Sequence, residues 1–533
     1  LRKDYLVSPD FFDSFDEDEK LIDNLPHKNN ILVITKDVLL ILKDDNKTSE
    51  LNWLEFEKSR AVFEKGKDVN IYYSFLDIIN YNVDHKVREN LNKISEEITK
   101  PEMEVILEKE KKATNVTVIK GYVEEENKKR EVDSFIKYFH SRYSALKDIL
   151  SKRVELQNAI SINKISNKGN RDLVALIGII QDKQLTKNGH IIVTLEDPTG
   201  VVKILFPKNK EFVFDMAQDL VLDEVIGVVG VNGGEIIFAD RVYLPDIPIT
   251  KEIKKCNDDV CVVFISDIHV GSNNFLEKEF LNFISWLNCD SEDNELAKKV
   301  KYIFVVGDVV DGIGVYPGQE QNLTIKDVTK QYEKLAAYLK MIRKDIHLIL
   351  CPGDHDAVRL SHPQPPLNKK YAENLYDIKN LTLVTNPSFV NIHASSDFSG
   401  FNVLMYHGHG YHYYIDNVDS LRKNSAAKNP HHLMKFFLQR RHLAPSHSST
   451  IYVPDSREDY LVIDKIPDIF ISGHLHKTDI ASYRNVITIN CGCWQSVTDY
   501  ELKVGNFPDP CKVPILNLMT GNIIMKDFSL KNG

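Results

Sequence analysis

Five short motifs rich in histidine and aspartate lie between positions 267 and 476 of this 533-residue chain. In chain order they are Asp267-Ile268-His269, Gly307-Asp308-Val309-Val310-Asp311, Gly353-Asp354-His355-Asp356, Tyr406-His407-Gly408 and Gly473-His474-Leu475-His476. Imidazole and carboxylate groups are ligands that suit divalent transition metals. Two such cations held about 3.5–4 Å apart can clamp the attacking and leaving oxygens of an in-line phosphoryl displacement. The motifs therefore predict a dinuclear metal centre for phosphoester hydrolysis.

Each motif follows an apolar run that predicts a buried strand. The runs are residues 260–266, 302–306, 346–350, 403–405 and 469–472. Side chains at the ends of successive strands of an α/β sheet converge at the edge of the sheet, where such folds bind ligands. We therefore expect the five motifs to form one site.

The two metals need a bridging carboxylate, and Asp308, directly after its strand, is the expected bridge. We expect Asp267 and His269 to hold the first metal together with one imidazole of the last motif. Asp354 and His407 are expected to hold the second metal together with the other imidazole. The predicted metal ligands are Asp267, His269, Asp308, Asp354, His407, His474 and His476. Manganese is the expected metal, with iron, zinc or magnesium as alternatives.

Two further residues of the motifs are expected to be catalytic. His355 lies beside the predicted ligands, where an imidazole can stabilise charge on the phosphorus centre or protonate the leaving oxygen. Asp311 is expected to orient that imidazole, as carboxylates near metal sites often do. The remaining histidines of the region lack the strand-end context, so we expect structural roles for His409, His412, His431, His432, His442 and His447.

The ordered motifs resemble those of the calcineurin-like metallophosphoesterase superfamily. Two longer segments, Pro352-Gly353-Asp354-His355-Asp356-Ala357-Val358-Arg359 with Pro363-Gln364-Pro365-Pro366, and Arg440-Arg441-His442-Leu443-Ala444-Pro445, resemble a narrower family. That family is the small subunit of the archaeal family-D replicative DNA polymerase, and the resemblance covers roughly residues 130 to 525. It implies a two-sheet sandwich with flanking helices and 3′-to-5′ exonuclease activity. It also places the family's metal ligands on the seven positions above and its catalytic histidine on His355.

Asp354 departs from the superfamily pattern, which has asparagine at this position. A carboxylate oxygen can ligate in place of an amide carbonyl, so the second metal should still bind. The added negative charge is expected to change the metal preference or to slow the nucleophile.

Composition limits the class of protein. Hydrophobic residues make up 43% of the chain, and no stretch approaches about 18 uninterrupted apolar residues, so no membrane span is expected. The first residues lack an apolar segment, which argues against a signal peptide. Seven cysteines without a CxxC pair predict neither a disulfide framework nor a zinc site. We therefore expect a protein of the reducing cytoplasm.

The net charge of −10 is unusual for a protein that binds nucleic acid. The segment 422–442 is locally basic, however, and is predicted to contact the phosphate backbone of DNA. Its candidate DNA-binding residues are Arg422, Lys423, Lys435, Arg440 and Arg441. Because these positive charges are few, most of the DNA affinity is expected to come from a partner.

The chain length predicts several domains. We expect a small N-terminal module at 1–82, a charged linker at 83–131, a helical connector at 132–170, a barrel at 171–248 and the α/β metallophosphoesterase domain at 259–530. In the barrel region, short strands at 174–180, 191–195, 201–206, 225–231 and 236–239 are separated by turn signals, which predicts a Greek-key barrel of OB type.

The motifs and the resemblance together predict the proofreading 3′-to-5′ exonuclease subunit of a two-subunit polymerase. Its expected partners are the large catalytic subunit, in a heterodimer, and DNA, with a sliding clamp as a further candidate and no membrane. Three alternatives remain: a structural polymerase subunit with an inactive site, a phosphatase or small-molecule diesterase of the same superfamily, and an OB-type binding module with an incidental metal site.

Overall fold

The computed structural model describes Leu6–Val7, Val33–Ile34 and residues 116–124, 129–290, 295–455 and 457–530. The chain divides into two compact units, Leu1–Ala113 and Thr114–Gly533. In the first unit, β1 (Leu6–Val7) pairs in parallel with β2 (Val33–Ile34). The rest of the expected N-terminal module, and the expected linker up to position 115, lie outside the described residues.

The second unit begins with a strand that the sequence did not predict. β3 (Val116–Lys120) pairs antiparallel with residues Ser388–Ile392, and Val116 and Val118 pack on the core of the C-terminal domain. The prediction of a linker over 83–131 is therefore wrong for this segment. Its β-branched residues favour a strand, but the charged residues on both sides hid that signal.

A long helix follows the strand. α1 (Val132–Leu150) is followed by 3-10 turns at Val154–Leu156 and Ile162–Asn167. The buried residues of α1 are Tyr138, Arg142, Tyr143, Leu146 and Leu150. Phe135 and Ile136, near the start of the helix, are exposed although they are apolar. Arg142 is instead buried against Asp459 of the C-terminal domain, with Nε 2.7 Å from Oδ2.

A closed five-stranded barrel forms the next part of the chain, and all five predicted strands are present. They are β4 (Leu173–Leu185), β5 (Ile191–Asp197), β6 (Gly200–Phe206), β7 (Val225–Asn232) and β8 (Ile236–Tyr243). The strand order around the barrel is β4-β5-β6-β8-β7, and α2 (Glu211–Gln218) lies between β6 and β7 in the chain. The barrel encloses a separate core that includes Leu176, Val193 and Ile204.

The C-terminal domain contains two six-stranded sheets. Its strands are β9 (Cys261–Ile265), β10 (Val300–Val306), β11 (His347–Cys351), β12 (Leu381–Leu383), β13 (Ser388–Ile392), β14 (Phe401–Met405), β15 (Ile469–Ser472), β16 (Asp479–Tyr483), β17 (Val486–Asn490), β18 (Lys512–Asn517) and β19 (Ile523–Asp527). The first sheet has the order β12-β11-β10-β9-β18-β19, and the second has the order β16-β17-β15-β14-β13-β3.

Helices cover the outer faces of the two sheets. They are α3 (Glu277–Leu287), α4 (Glu295–Lys298), α5 (Val328–Met341), α6 (Lys369–Tyr376), α7 (Tyr411–Asn417), α8 (Asp419–Lys423), α9 (His431–Arg440) and α10 (Asp499–Val504). Residues of α3, α5 and α6 share a core with the first sheet, and residues of α7, α8 and α9 share one with the second. A third core lies between the sheets and contains residues of both. Strands covered on both faces read as continuous apolar runs, which explains the uniform runs before the motifs.

The five predicted strands that precede the motifs are β9, β10, β11, β14 and β15. The first three belong to one sheet and the last two to the other. The motifs therefore meet where the ends of two packed sheets come together, rather than at the edge of a single sheet. Among the described residues, no helix combines the length and the apolar character needed to cross a lipid bilayer.

Candidate metal centre

Five of the seven predicted ligands have a left-handed backbone. The φ angles are 52° at Asp267, 54° at His269, 49° at Asp308, 69° at His474 and 53° at His476. For residues other than glycine this conformation is costly and persists only where the surrounding structure holds it, often at functional sites. The motif loops also approach closely: a Cβ at Gly353 would lie 2.3 Å from Asp308 Oδ1, so only glycine fits there.

The first cluster of ligand atoms contains Asp267, His269 and His476. Their ligand atoms all lie within 4.8 Å of one another. His476 Nε2 lies 3.3 Å from Asp267 Oδ1 and 3.2 Å from His269 Nε2. The two imidazole nitrogens therefore point at the same place, beside a buried carboxylate.

The second cluster contains Asp308, His407 and His474, again within 4.8 Å of one another. His407 Nε2 lies 3.2 Å from Asp308 Oδ2, and His269 Nε2 of the first cluster lies 3.9 Å from the same oxygen. Asp308 is thus the carboxylate that both clusters share, in the position expected of a bridge. Asp354 Oδ2 adjoins the second cluster, 3.9 Å from His407 Nε2 and 3.2 Å from His474 Nδ1.

Three of the imidazoles are fixed in the same way. Nδ1 lies 3.1 Å from Asp311 Oδ1 in His269, 2.8 Å from the Val306 carbonyl in His407 and 2.9 Å from Glu501 Oε1 in His476. Carboxylates and carbonyls can only accept hydrogen bonds, so Nδ1 carries the proton in each ring. The other ring nitrogen, Nε2, faces the carboxylates of Asp267 and Asp308. A lone pair facing a carboxylate is favourable when a cation lies between them, and metal-ligating histidines are usually held through the other ring nitrogen in this way.

The donor set therefore fits a pair of divalent metals. His474 adds a buried Nε2 that has no hydrogen-bond partner among the described residues, and such a group is costly unless a ligand satisfies it. Burial lowers the pKa of His407, but Asp308 and the neighbouring carboxylates outweigh it and hold that pKa well above its ordinary value. The carboxylates therefore favour a positive charge beside them. Bound cations would supply that charge in place of protonated imidazoles.

Asp311 does not orient the imidazole that the sequence suggested. Its carboxylate contacts His269, whereas the contact with His355 is made by its backbone carbonyl, 2.8 Å from His355 Nδ1. The carboxylate is held by two amides: Gln319 Nε2 donates to Oδ2 at 2.9 Å and Gln495 Nε2 to Oδ1 at 3.2 Å. The expected role of Asp311 as the side chain that orients His355 is therefore wrong, because Oδ1 of Asp311 lies 3.9 Å from His355 Nδ1.

His355 lies at the edge of the centre. Its backbone N–H donates to Asp308 Oδ1 at 2.8 Å, and its ring packs edge-on against that of His269, with centroids 4.7 Å apart. The side chain is 23% exposed and lines an open cleft, whereas His269 and His407 are buried. An imidazole so placed can reach a bound phosphoester without being a ligand.

Two residues near the centre escaped the sequence analysis. Glu501, which holds His476, forms a capping box with Thr498 at the start of α10. The Thr-x-x-Glu pattern signals a helix start, but it cannot reveal a contact with a distant histidine. His409 was expected to be structural, yet its Nδ1 lies 2.9 Å from Asp354 Oδ2.

The candidate DNA-binding residues divide into two groups. Arg422, Lys423 and Lys435 are exposed, although Arg422 pairs with Asp419. Arg440 and Arg441 are buried, so the expectation that they contact DNA does not fit the structure. Arg440 Nε lies 2.7 Å from Glu224 Oε2 of the barrel region, and Arg441 donates to the carbonyls of Ile463 and Asp464. Arg440 therefore connects the end of α9 to the barrel region, and Arg441 connects it to the segment at 463–464.

Comparison with known proteins gives consistent matches. A profile of the family formed by the B subunits of DNA polymerases alpha and epsilon matches residues 262–479, which include all five motifs. The "DNA polymerase II small subunit" of Methanothermobacter thermautotrophicus is 39% identical over 73% of this chain and 78% of its own length. The protein of the same name from Archaeoglobus fulgidus is 36% identical over 82% of this chain and 86% of its own.

The chain spans less of some other relatives. The "DNA polymerase II small subunit" of Methanocaldococcus jannaschii is 38% identical over 73% of this chain but only 64% of its own length. Among solved structures, one described as a novel archaeal phosphodiesterase matches 50% of this chain and 99% of its own, at 13% identity. Its TM-score of 0.25 is too low to support an argument.

Proposed function

Because the chain belongs to the family of archaeal DNA polymerase II small subunits, we propose that it is the 3′-to-5′ exonuclease subunit of a two-subunit replicative polymerase. One observation carries the proposal: three imidazoles, each fixed through Nδ1, direct Nε2 at the carboxylates of Asp267 and Asp308. This arrangement suits a dinuclear phosphodiesterase centre.

The residues of the two clusters divide between two cations. Asp267, His269 and His476 would hold one ion, and Asp354, His407 and His474 would hold the other. Asp308 would be shared. When bound, the cations supply Lewis acidity toward the phosphoryl oxygens and toward water.

His355 acts on the leaving group in this proposal. Its Nδ1 is tied to the Asp311 carbonyl, so Nε2 is the nitrogen left to face a substrate. As an imidazolium, the ring can donate Nε2–H from the edge of the cleft to the 3′ oxygen that departs from the strand. The backbone bond from His355 to Asp308 keeps this imidazole in register with the shared carboxylate.

The partner in this proposal is the large catalytic subunit. The barrel has the strand order and the helix between its third and fourth strands that support an OB type. Among the phenylalanines of the barrel region, Phe206 is buried and Phe214 is partly buried, whereas Phe212 and Phe238 are exposed. So small a number of exposed aromatics favours docking of a protein over binding of single-stranded DNA.

The docking role can be tested without removing the barrel. Deleting it would leave Arg440 buried without Glu224 and would destabilise the C-terminal domain. A Phe212→Ser variant keeps that pair, and it should reduce co-purification of the large subunit from a co-expression system. Unchanged co-purification would argue that the partner docks elsewhere.

The activity itself is tested with the purified full chain and a 5′-end-labelled single strand. With manganese, we expect progressive shortening from the 3′ end, and excess chelator should abolish it. No shortening with manganese, iron, zinc or magnesium would overturn the proposal.

A second candidate function is that of a structural subunit with an inactive site. The contact of Asp354 with His409 favours it, because Oδ2 lies 2.9 Å from Nδ1 of this histidine, which is not among the predicted ligands. This imidazole competes with a metal for a carboxylate oxygen that the nuclease would need. Metal analysis separates the candidates: two equivalents of metal support the nuclease, and one or none supports the structural subunit.

A further inference from the structure

A cleft opens beside His355 and leads away from the metal centre. Its volume is about 840 Å³, and Asp354, His355 and Asp356 line its inner end. Ligand sites in proteins commonly enclose about 300–1,000 Å³, so the cleft is large enough for part of a substrate. The proposed chemistry uses Asp354 and His355 and none of the other residues that line the cleft.

One wall of the cleft is a loop that holds apolar side chains in the open. Ile313 and Val315 are 48% and 40% exposed and line the cleft. The loop is pinned at both ends, because Gln331 Oε1 accepts from Gly312 N and Gln319 Oε1 accepts from Val315 N, each at 2.9 Å. Gly312 has a φ of 72°, and a Cβ there would lie 2.2 Å from the His355 carbonyl. The wall is thus fixed directly against His355.

Other residues that line the cleft are apolar or aromatic, and basic residues adjoin the aromatic ones. Leu360 is 45% exposed and lines the cleft, as do Tyr371 and Tyr376 at the start and end of α6. The Tyr376 hydroxyl donates to the Leu367 carbonyl at 2.6 Å, which fixes its ring. Two exposed lysines of α6 lie over these rings: Lys370 Nζ is 5.3 Å from the centroid of Tyr371, and Lys369 Nζ is 6.0 Å from that of Tyr376.

We propose that this cleft binds the nucleobase of the penultimate nucleotide, the one whose 3′ oxygen leaves. The inference rests on the proposed function, because it assigns a place to the strand that the centre cuts. His355 acts on the departing 3′ oxygen, so the nucleotide that carries this oxygen must lie on the His355 side of the centre. The exposed apolar side chains of Ile313, Val315 and Leu360 suit the flat faces of a base. The lysines beside the two tyrosines suit the next phosphate of the strand.

The assignment limits the substrates to strands whose 3′ end is unpaired. A base that lies in this cleft cannot be paired with a template, so the two terminal nucleotides must both be unpaired. Single strands and frayed or mispaired 3′ ends meet this requirement, whereas a perfectly paired end must first melt.

The hydrolysis test compares full-length substrates that differ at one position. Single-stranded oligonucleotides carry either a base or an abasic tetrahydrofuran residue at the penultimate or the terminal position. With manganese, the wild-type chain should cleave the strand that has a base at the penultimate position about fivefold to 100-fold faster than the strand that is abasic there. This range follows from the usual free energy of base stacking. Ile313→Ser and Leu360→Ser should bring this ratio toward one.

Ile524→Ser is the matched control. Ile524 is also 48% exposed, but it lies on β19 outside the cleft, so this variant should keep the wild-type ratio. A preference for a base at the terminal rather than the penultimate position would overturn the assignment. So would equal ratios in the cleft variants and the control.

A binding test in excess chelator separates this inference from the proposed function. A single strand with 2-aminopurine at the penultimate position should change fluorescence on titration with the wild-type and Ile524→Ser chains. Its affinity should fall at least about fivefold in Ile313→Ser and Leu360→Ser.

The outcomes are distinct. Base-dependent binding without any hydrolysis would defeat the proposed nuclease and leave the cleft assignment standing. Hydrolysis without discrimination at the penultimate base would overturn the cleft assignment alone. In a third outcome, the cleft variants no longer co-purify with the large subunit but bind the oligonucleotide as wild type does. The cleft would then hold a protein segment, and the assignment would be overturned.

Discussion

The carboxylate of Asp311 lies 3.1 Å from Nδ1 of His269, and the same residue presents its backbone carbonyl to Nδ1 of His355 at 2.8 Å. One residue therefore fixes two imidazoles through different atoms. A substitution of the side chain can change the first contact and leave the second intact, which allows the two histidines to be tested separately.

The first prediction uses this separation. Asp311→Asn should weaken metal binding by about 10- to 100-fold, the usual effect of removing the carboxylate that holds a ligating histidine. The backbone carbonyl that holds His355 is unchanged, so saturating manganese should restore most of the turnover. Titration of activity with manganese measures both effects. A turnover defect that saturating metal does not relieve would mean that the carboxylate acts directly in the reaction.

The second prediction distinguishes catalysis from ligation. His355→Ala should keep its metal content near normal and lower turnover by about 10²–10⁴, as expected for a group that transfers a proton or stabilises charge. Asp308→Ala should instead lose metal, because both clusters share this carboxylate. Elemental analysis beside single-turnover kinetics measures the difference. Equal metal loss in the two variants would identify His355 as a ligand.

The third prediction concerns Asp354. Asp354→Asn should keep the second metal and leave activity equal or higher, because an amide oxygen ligates without added negative charge. Metal content and turnover are compared with wild type. A large drop in turnover would show that the site depends on the carboxylate.

The fourth prediction contrasts buried and exposed basic residues. Arg440→Met should destabilise the fold by about 3–5 kcal/mol, because it leaves Glu224 as an uncompensated buried charge. Lys423→Gln and Lys435→Gln should leave unfolding unchanged and lower DNA affinity at low salt, with a weaker salt dependence. Denaturant unfolding and salt-dependent binding measure the two effects. Normal stability of Arg440→Met would contradict the role assigned to the Glu224 pair.

The fifth prediction is a pH dependence of stability at the contact between α1 and the C-terminal domain. His442 Nε2 lies 2.8 Å from Asp459 Oδ2, and the Ala444 N–H donates to His442 Nδ1 at 3.0 Å, so the folded ring is neutral. Burial and then Arg142 lower the pKa of His442 to about 4, from about 6.5 in an unfolded chain. As pH falls from about 6.5 to 4, the unfolded chain takes up a proton that the folded chain does not.

His442 should therefore reduce the free energy of unfolding across that window, by at most about 3 kcal/mol. His442→Gln should be less stable than wild type at pH 7.5 and should lose less stability between pH 7.5 and 5. Denaturant midpoints at the two pH values, with excess chelator present, measure this difference. An identical pH dependence in the two proteins would show that His442 does not titrate in this range.

Local pattern was enough to locate the motifs and the strands that carry them. The apolar runs before Asp267, Asp308 and Asp354 became strands because side chains buried on both faces of a sheet leave a continuous hydrophobic signal. The five barrel strands were visible for a similar reason, since each short apolar run is bounded by turn residues. The order of the motifs was enough to predict that histidine and aspartate side chains form the centre.

Only the tertiary structure decided which partner each polar group meets. Glu501 reaches His476, Asp311 turns its carboxylate to His269, and Arg440 is buried against Glu224. The strand Val116–Lys120 and the burial of Arg142 on α1 likewise depend on contacts with residues hundreds of positions away. Periodicity reports whether a side chain is apolar and where it repeats. It carries no information on which charge faces which, because that is set by the packing of sheets and helices distant in the chain.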